Sequence, residues 1–263
     1  MFLIDRFGRP LTRLRISVTD RCNLKCFYCH REGIVERERT EASPKEIAMV
    51  VEEAAKLGIR SVKLTGGEPL VRDDIVEVVE RIAEVRGVTD LAMTTNGTLL
   101  EGLAQDLSRA GLKRVNVNLP SIDPEIYSEI TGGGDLRKVL NGLYVAKEVG
   151  LNPIKVNMVV LRGLNEAHLP EMVRFSSELG LILQLIELEP AGNASNSDLF
   201  ERYYLPLDEA IKPIKGLIER VEYRTFHKRK VLRLKGGGVL ELVEPLENTD
   251  FCLRCMRLRM TPD

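Results

Sequence analysis

Three cysteines lie within eight residues in the segment Asp20-Arg21-Cys22-Asn23-Leu24-Lys25-Cys26-Phe27-Tyr28-Cys29. Their spacing is C-x3-C-x2-C, and the segment directly follows Leu14-Arg15-Ile16-Ser17-Val18. The alternation of apolar and polar residues in that preceding stretch predicts a β-strand. Thiolate sulfur is a soft ligand that favours iron–sulfur clusters, zinc or Cu(I). The loop after this strand is therefore predicted to hold a metal centre.

The ligand count distinguishes two kinds of metal centre. A closed structural zinc site takes four protein ligands, and this loop supplies three cysteines. His30 would have to be the fourth ligand, directly after Cys29, where the geometry is awkward. A four-iron cluster on three thiolates leaves one iron open to bind something else. A zinc knuckle or isolated buried thiols remain the alternatives, although a polar loop at a strand end fits them poorly.

Composition excludes some classes of partner. The 263 residues include 38 Lys and Arg against 39 Asp and Glu, so the net charge of −1 gives no general case for nucleic acid or membrane. No apolar run approaches the roughly 20 residues of a membrane helix, and the N-terminus lacks a signal-peptide pattern. The five cysteines form two groups, which is typical of metal ligands in a reducing compartment. We expect a cytoplasmic protein.

Strands and helices alternate along the first 190 residues. The alternation favours a parallel sheet with right-handed crossovers, and polar motifs follow the strand ends as they do in (β/α) barrels. Six such units predict an α/β fold with a partial (β/α)6 TIM-type barrel over residues 1–190. The predicted strands are 14–18, 61–65, 91–94, 114–119, 154–160 and 181–188.

The pattern breaks near residue 191. A helix is predicted over 207–217, and the stretches 231–234 and 239–243 around Gly236 predict a β-hairpin. Residues 191–263 are therefore predicted to form a C-terminal α+β appendage that closes one side of the barrel. The appendage carries the second cysteine pair, and the motif around that pair is expected to be cut short at Asp263.

The cysteine loop and a second motif, Gly66-Gly67-Glu68-Pro69, together resemble the radical S-adenosylmethionine (SAM) superfamily. In that family an aromatic residue precedes the third cysteine, and the open iron of the cluster is chelated by SAM. The resemblance implies a [4Fe–4S] cluster on Cys22, Cys26 and Cys29. Asn118, at a strand end, is included as a SAM contact, with a solvated amide as the alternative. The implied SAM contacts are Tyr28, Gly66, Gly67, Glu68 and Asn118.

The segment from Phe251 to Arg259 resembles the C-terminal motif of the GTP 3',8-cyclases, which begin molybdenum-cofactor biosynthesis. In that family a C-x2-C pair and a later cysteine bind a second [4Fe–4S] cluster, whose open iron contacts guanine. The resemblance implies that Cys252 and Cys255 are ligands of this cluster and that the third ligand is missing from this chain. A motif cut short at Asp263 is favoured over loss of the second cluster, which remains the alternative. Met256 and Gln184 depart from residues common among relatives, so their roles stay open.

Basic residues on the strands predict an anionic ligand. Side chains two apart share a face of a strand, so Lys63 points the same way as Thr65, which leads into the Gly-Gly motif. Cations inside a barrel are costly unless they are paired or face an anion, and a triphosphate would supply one. The alternative is that some of these cations face outward or pair with Glu. The family match places Arg15, Lys63, Thr94, Lys155, Arg257, Leu258 and Arg259 at GTP.

The resemblance implies conversion of GTP to (8S)-3',8-cyclo-7,8-dihydroguanosine 5'-triphosphate, the first step of molybdopterin (molybdenum or tungsten cofactor) biosynthesis. A 5'-deoxyadenosyl radical from SAM would remove hydrogen from C3' of the ribose, after which C3' attacks C8 of guanine. No side chain is assigned as catalytic. The implied partners are GTP, SAM, an electron donor such as ferredoxin or flavodoxin, and the next-step cyclic pyranopterin monophosphate synthase. A homodimer is allowed, whereas nucleic acid and membrane are not expected.

Two other functions remain open at this point. One is another radical SAM enzyme that carries an auxiliary cluster and acts on a peptide or small molecule. The other is a non-catalytic metal-binding protein that uses the cysteines structurally.

Overall fold

The computed structural model describes residues 3–30, 41–195, 197–246, 248 and 250–263. A small hairpin of two strands, β1 (Leu3–Ile4) and β2 (Pro10–Leu11), begins the described chain. No helix in the described ranges has the length and apolar character needed to cross a membrane.

A single sheet of ten strands forms the centre of the fold. Its strand order is β12-β3-β4-β5-β6-β7-β8-β11-β10-β9. Every neighbouring pair from β12 to β11 is parallel, whereas β10 is antiparallel to both of its neighbours. The strands are β3 (Arg13–Ser17), β4 (Ser61–Thr65), β5 (Asp90–Thr95), β6 (Arg114–Asn118), β7 (Lys155–Val159), β8 (Ile182–Ile186), β9 (Ile218–Tyr223), β10 (Lys230–Leu234), β11 (Val239–Val243) and β12 (Arg257–Met260).

The helices begin where the sequence provides caps. Ser43 and Glu46 form a reciprocal capping box, in which each side chain accepts a hydrogen bond from the other residue's backbone N–H. Pro44 occupies the first helical turn, where a missing N–H costs nothing. The helices are α1 (Pro44–Lys56), α2 (Ile75–Glu84), α3 (Leu100–Arg109), α4 (Pro124–Thr131), α5 (Leu136–Glu148), α6 (Leu169–Glu178), α7 (Ser197–Tyr203), α8 (Leu207–Ala210) and α9 (Asp250–Leu253).

The predicted helix over 207–217 is wrong in its second half. The α-helix ends at Ala210, and Lys212–Leu217 forms a 3-10 helix. Pro213 explains the change, because proline removes a backbone donor and disfavours α geometry in the residue before it.

Residues on the parallel strands alternate between two environments. Leu14, Ile16, Val62 and Leu64 are fully buried in the main apolar core under the helices. Arg15 and its counterparts on the neighbouring strands point to the opposite, concave side of the sheet. We call the space bounded by these polar side chains, from β12 around to β11, the lumen. The alternation thus places apolar residues outside and charged residues inside.

The predicted partial (β/α)6 barrel is confirmed: strands β3 to β8 match the six predicted strands to within two residues at each end. The hairpin predicted around Gly236 is also present, as β10 and β11. Two strand pairings were not predicted. The hairpin joins the barrel sheet through β11, which pairs in parallel with β8, and β12 pairs in parallel with β3 at the other edge. Residues 191–263 thus extend both edges of the barrel sheet. The domain division at residue 190 stays a prediction, and the sheet runs across it.

Candidate active site

The cysteine loop lies directly after β3, at the carboxyl-terminal end of the barrel. Cys22 and Cys29 are exposed and Cys26 is half-buried. Burial, together with the charges of Cys29 and Cys22, raises the pKa of the Cys26 thiol to about 12. Among the described residues, no three His, Cys, Asp or Glu side chains form a group that could hold a single metal ion. Three soft thiolates on one loop fit the donor set of an iron–sulfur cluster.

Gly66 and Gly67 pack against the backbone that leads into the cysteine loop. The Gly67 N–H donates to the Thr19 carbonyl at 2.8 Å, and the Glu68 N–H donates to the Arg21 carbonyl at 2.8 Å. An added Cβ would lie 2.3 Å from the Thr19 oxygen at Gly66 and 2.2 Å from the Arg21 oxygen at Gly67. Only glycine permits this approach. The Gly-Gly motif therefore fixes one wall of the cysteine loop.

The Glu68 carboxylate points into the protein and is 1% exposed. It accepts hydrogen bonds from Thr95 Oγ1 at 2.6 Å, Asn96 N at 2.5 Å and Leu70 N at 3.1 Å. Burial raises the pKa of Glu68 to about 7, although these hydrogen bonds oppose the shift. The side chain thus joins the Gly-Gly loop to the end of β5. Its predicted role as a SAM contact stays a prediction.

Other loops support the cysteine loop from its remaining sides. Asn23, between the first two cysteines, accepts from Asn96 Nδ2 at 2.7 Å and donates to Thr98 Oγ1 at 2.9 Å. The Lys25 N–H donates to the Thr131 carbonyl at 3.0 Å, at the end of α4. These supporting residues were not predicted. The turn sequence Asn96-Gly97, directly after β5, is the feature of the sequence that could have indicated them. The loop is positioned by the ends of β4, β5 and α4.

Tyr28 and Asn118, both predicted to contact SAM, lie together. The Tyr28 ring belongs to a small apolar cluster with Ile130 and Leu161. Asn118 Nδ2, at the end of β6, donates to the Tyr28 hydroxyl at 2.9 Å. Burial raises the pKa of Tyr28 well above its ordinary value, so the hydroxyl stays protonated. The Asn118 amide is therefore fixed in place, rather than freely solvated, at the carboxyl-terminal end of the barrel.

Positive charge accumulates in the lumen around Lys63. Lys63 Nζ donates to Asn116 Oδ1 at 3.1 Å. Burial lowers the pKa of Lys63 well below its ordinary value, and the nearby charges of Arg114, Arg15, Lys155 and Arg257 lower it further. Such a cluster of buried cations is unfavourable unless an anion is present. Thr94 lies beside this group, because it is paired in register with Asn116 on the next strand.

Strand β12 adds two arginines to the same wall. Arg257 is paired in register with Arg13, and Arg259 with Arg15, so both point towards the lumen. Burial, together with the charge of Arg15, lowers the pKa of Arg257 to about 10. Leu258 alternates with these arginines along β12, so its side chain points to the opposite face of the sheet, and it is 38% exposed. The structure therefore does not bring the Leu258 side chain to the lumen with the other predicted GTP contacts.

Lys155, on the other wall, has a carboxylate partner that was not predicted. Its Nζ lies 2.7 Å from both Oε1 and Oε2 of Glu241, which is completely buried on β11. Gln184 Nε2 also donates to Glu241, at 2.8 Å. The alternative that some basic residues pair with Glu thus applies to Lys155. The available signal was the single glutamate in the apolar stretch Val239–Val243.

The second cysteine pair lies at the opposite end of the barrel. Cys252 is exposed in α9, and Cys255 is half-buried just before β12. Because β12 and β3 are parallel, residues before β12 lie at the amino-terminal end, whereas the first cysteine loop follows β3. The five residues of β3 span about 16 Å at roughly 3.3 Å per residue. The two cysteine groups therefore flank the cationic lumen.

Comparison with known proteins identifies the family. The sequence profile of the Radical SAM superfamily matches residues 16–176. A protein from Thermococcus kodakarensis named "Probable GTP 3',8-cyclase" is 47% identical over 264 residues, which cover 99% of this chain and 85% of that protein. The chain belongs to the GTP 3',8-cyclase family of the radical SAM superfamily. A family member of the same name from Methanothermobacter thermautotrophicus is 44% identical, over 100% of this chain and 85% of its own.

Solved radical SAM structures share the fold. Streptococcus suis SuiB bound to S-adenosylmethionine superposes with a TM-score of 0.66 at 18% identity, over 80% of this chain and 49% of its own. Native anSMEcpe with bound AdoMet and Cp18Cys peptide gives a TM-score of 0.60 at 20% identity, over 77% of this chain and 58% of its own. The chain spans about half the length of these structures. Radical SAM membership brings with it SAM and a SAM-binding [4Fe–4S] cluster.

Proposed function

We propose that this GTP 3',8-cyclase family member converts GTP to (8S)-3',8-cyclo-7,8-dihydroguanosine 5'-triphosphate. The observation that carries the proposal is the cationic lumen between two cysteine groups at opposite ends of one barrel. Lys63, Arg15 and Arg257 lie close enough for their charges to lower the pKa of the lysine. A triphosphate is the kind of ligand that stabilises such a cluster, since charge-assisted hydrogen bonds to phosphate are strong.

The carboxyl-terminal end of the barrel binds SAM in this proposal. Cys22, Cys26 and Cys29 would hold the [4Fe–4S] cluster, and that cluster with SAM supplies the radical chemistry at the ribose. The chain itself orients SAM through the Gly66-Gly67 backbone and the hydrogen-bonded pair of Tyr28 and Asn118. Glu68 supports the SAM site indirectly, because its carboxylate accepts a hydrogen bond from Thr95 and so connects the Gly-Gly loop to the end of β5. Orientation of this kind is the main contribution that a protein makes to cofactor chemistry.

The lumen binds GTP. Arg15 and Lys63, from β3 and β4, form one wall with Arg257 and Arg259 from β12, and these cations would contact the triphosphate. Leu258 would contribute through its backbone, since its side chain points the other way. The other wall carries Lys155 on β7, and Thr94 lies between the two walls on β5.

The amino-terminal end of the barrel would carry a second [4Fe–4S] cluster on Cys252 and Cys255. Residues 250–263 supply these two thiolates as its ligands. A cluster at this end would meet the part of GTP that lies furthest from SAM. The electron donor, the next-step synthase and a homodimer stay predictions.

Anaerobic turnover tests the proposed function. The protein is reconstituted with iron and sulfide and then supplied with SAM, dithionite and either GTP or ATP. We expect the cyclised product and 5'-deoxyadenosine with GTP, and neither product with ATP. A Cys26→Ala variant is the matched control for cluster-dependent cleavage. SAM cleavage that is indifferent to the nucleotide would contradict the assignment.

A further inference from the structure

Glu241 is the centre of a buried charge cluster on the β11 side of the lumen. Lys155 contacts both of its oxygens at 2.7 Å, and Arg229 approaches Oε2 to 3.8 Å. Arg224 and Gln184 donate to the same carboxylate. Three cations thus meet one fully buried carboxylate, which leaves a local surplus of positive charge even after pairing.

Glu241 belongs to a strand outside the six strand–helix units. Its register partner on β8 is Gln184, which in turn pairs with Asn157 on β7. Lys155 lies two residues before Asn157 on the same face of β7. The carboxylate therefore reaches Lys155 across one intervening strand, β8, and holds the ammonium group towards β11.

Two buried lysines in one lumen allow an internal comparison. Lys63 has an amide oxygen as its hydrogen-bond partner, and its pKa lies well below the ordinary value because of burial and neighbouring cations. Burial also lowers the pKa of Lys155, but Glu241 opposes the shift, and the pKa stays at about 8. Burial tends to raise the pKa of Glu241 itself, yet Lys155, Arg224 and Arg229 hold it below its ordinary value. The pair is therefore ionised at neutral pH.

We propose that Glu241 is a positioning residue for the nucleotide, which holds Lys155 as a fixed cation on the β7 side of the lumen. The inference rests on the proposed function, since the nucleotide is GTP. Without the carboxylate, Lys155 loses the two contacts that fix its orientation, and its pKa falls because burial, Arg224 and Arg229 are no longer opposed. Removal of Glu241 therefore weakens the positive charge of Lys155 and leaves its ammonium group without a fixed position, so the triphosphate loses a positioned donor.

The test compares Glu241→Gln and Glu241→Asp with wild-type holoprotein, with inorganic triphosphate as the probe in calorimetry. We expect Glu241→Gln to weaken triphosphate binding and raise the KM for GTP by about tenfold, with kcat and the KM for SAM little changed. Glu241→Asp keeps the charge and should recover most of the loss. In a Lys155→Met background, Glu241→Gln should add no further loss, because both substitutions remove the same donor.

Glu187→Gln is the matched control for loss of a buried carboxylate. Glu187 is 1% exposed but accepts from Tyr204 at 2.8 Å and from Leu246 at 3.0 Å, away from the lumen. This variant should lower stability and leave triphosphate binding unchanged.

Three results would overturn the inference: unchanged triphosphate affinity in Glu241→Gln, an equal loss in Glu187→Gln, or absence of triphosphate binding by the wild type. Tighter binding by Glu241→Gln would also overturn it, because Glu241 would then compete with the nucleotide for Lys155. GTP-independent SAM cleavage by the wild type would instead contradict the proposed function, and triphosphate binding would still decide the role of Glu241.

Discussion

Substitution of Gly67 by alanine should displace the cysteine loop. The new Cβ would lie 2.2 Å from the Arg21 carbonyl oxygen, and real contacts of this kind do not fall below 3.0 Å, so the two loops must separate by about 0.8 Å. That shift strains the backbone hydrogen bonds from Gly67 to Thr19 and from Glu68 to Arg21, both 2.8 Å long. Overpacking of about 1–3 kcal/mol and about 1 kcal/mol for each weakened bond give a total of roughly 3–5 kcal/mol.

The assay combines urea unfolding with iron content and SAM binding after anaerobic reconstitution. Gly67→Ala should lose stability by that amount and bind SAM at least about tenfold more weakly. Gly102→Ala is the matched control, since an added Cβ there meets nothing within 4 Å and the residue lies inside α3. That control should be neutral or gain about 1 kcal/mol. A Gly67→Ala variant with wild-type SAM affinity and a loss below about 1 kcal/mol would refute the reasoning.

Three further predictions concern single side chains. Lys63→Met should raise the KM for GTP by about tenfold without lowering the melting temperature, because it removes a buried cation beside other cations. The pKa of Glu68 is about 7 in the folded protein against 4.5 ordinarily, so the folded state binds more protons in this window. The unfolding free energy should therefore fall by about 3 kcal/mol as the pH rises from 4.5 to 7, and a pH series of urea melts that shows no such fall would contradict this. Tyr28→Phe removes the hydrogen bond that Asn118 donates to the Tyr28 hydroxyl. The variant should lose about 1 kcal/mol of unfolding free energy in urea melts and bind SAM more weakly. Unchanged SAM binding would show that the Tyr28 hydroxyl does not orient Asn118 for SAM.

Local patterns were sufficient to predict the six barrel strands. The strand Ser61–Thr65, for example, follows from residues that are neighbours in sequence. The spacing of the cysteines and of the Gly-Gly motif was also sufficient to predict the family, because these residues pack together at adjacent strand ends.

Contacts between segments that are distant in sequence could not be predicted from local patterns. The pairing of β11 with β8 and of β12 with β3 brings residues from opposite parts of the chain together, and no periodicity encodes it. Glu241 was missed for this reason, since its strand was expected in the hairpin of the appendage and not beside β8. Leu258 is a different case: strand alternation alone indicates that its side chain points away from Arg257 and Arg259, but the motif includes it.

Deuterium transfer from the ribose of GTP tests the central claim most directly. The reconstituted protein is incubated without oxygen with SAM, dithionite and GTP that carries deuterium at C3', and the 5'-deoxyadenosine is analysed by mass spectrometry. We expect 5'-deoxyadenosine that contains one deuterium and forms only when GTP is present. Unlabelled 5'-deoxyadenosine, or the same yield without GTP, would contradict the account.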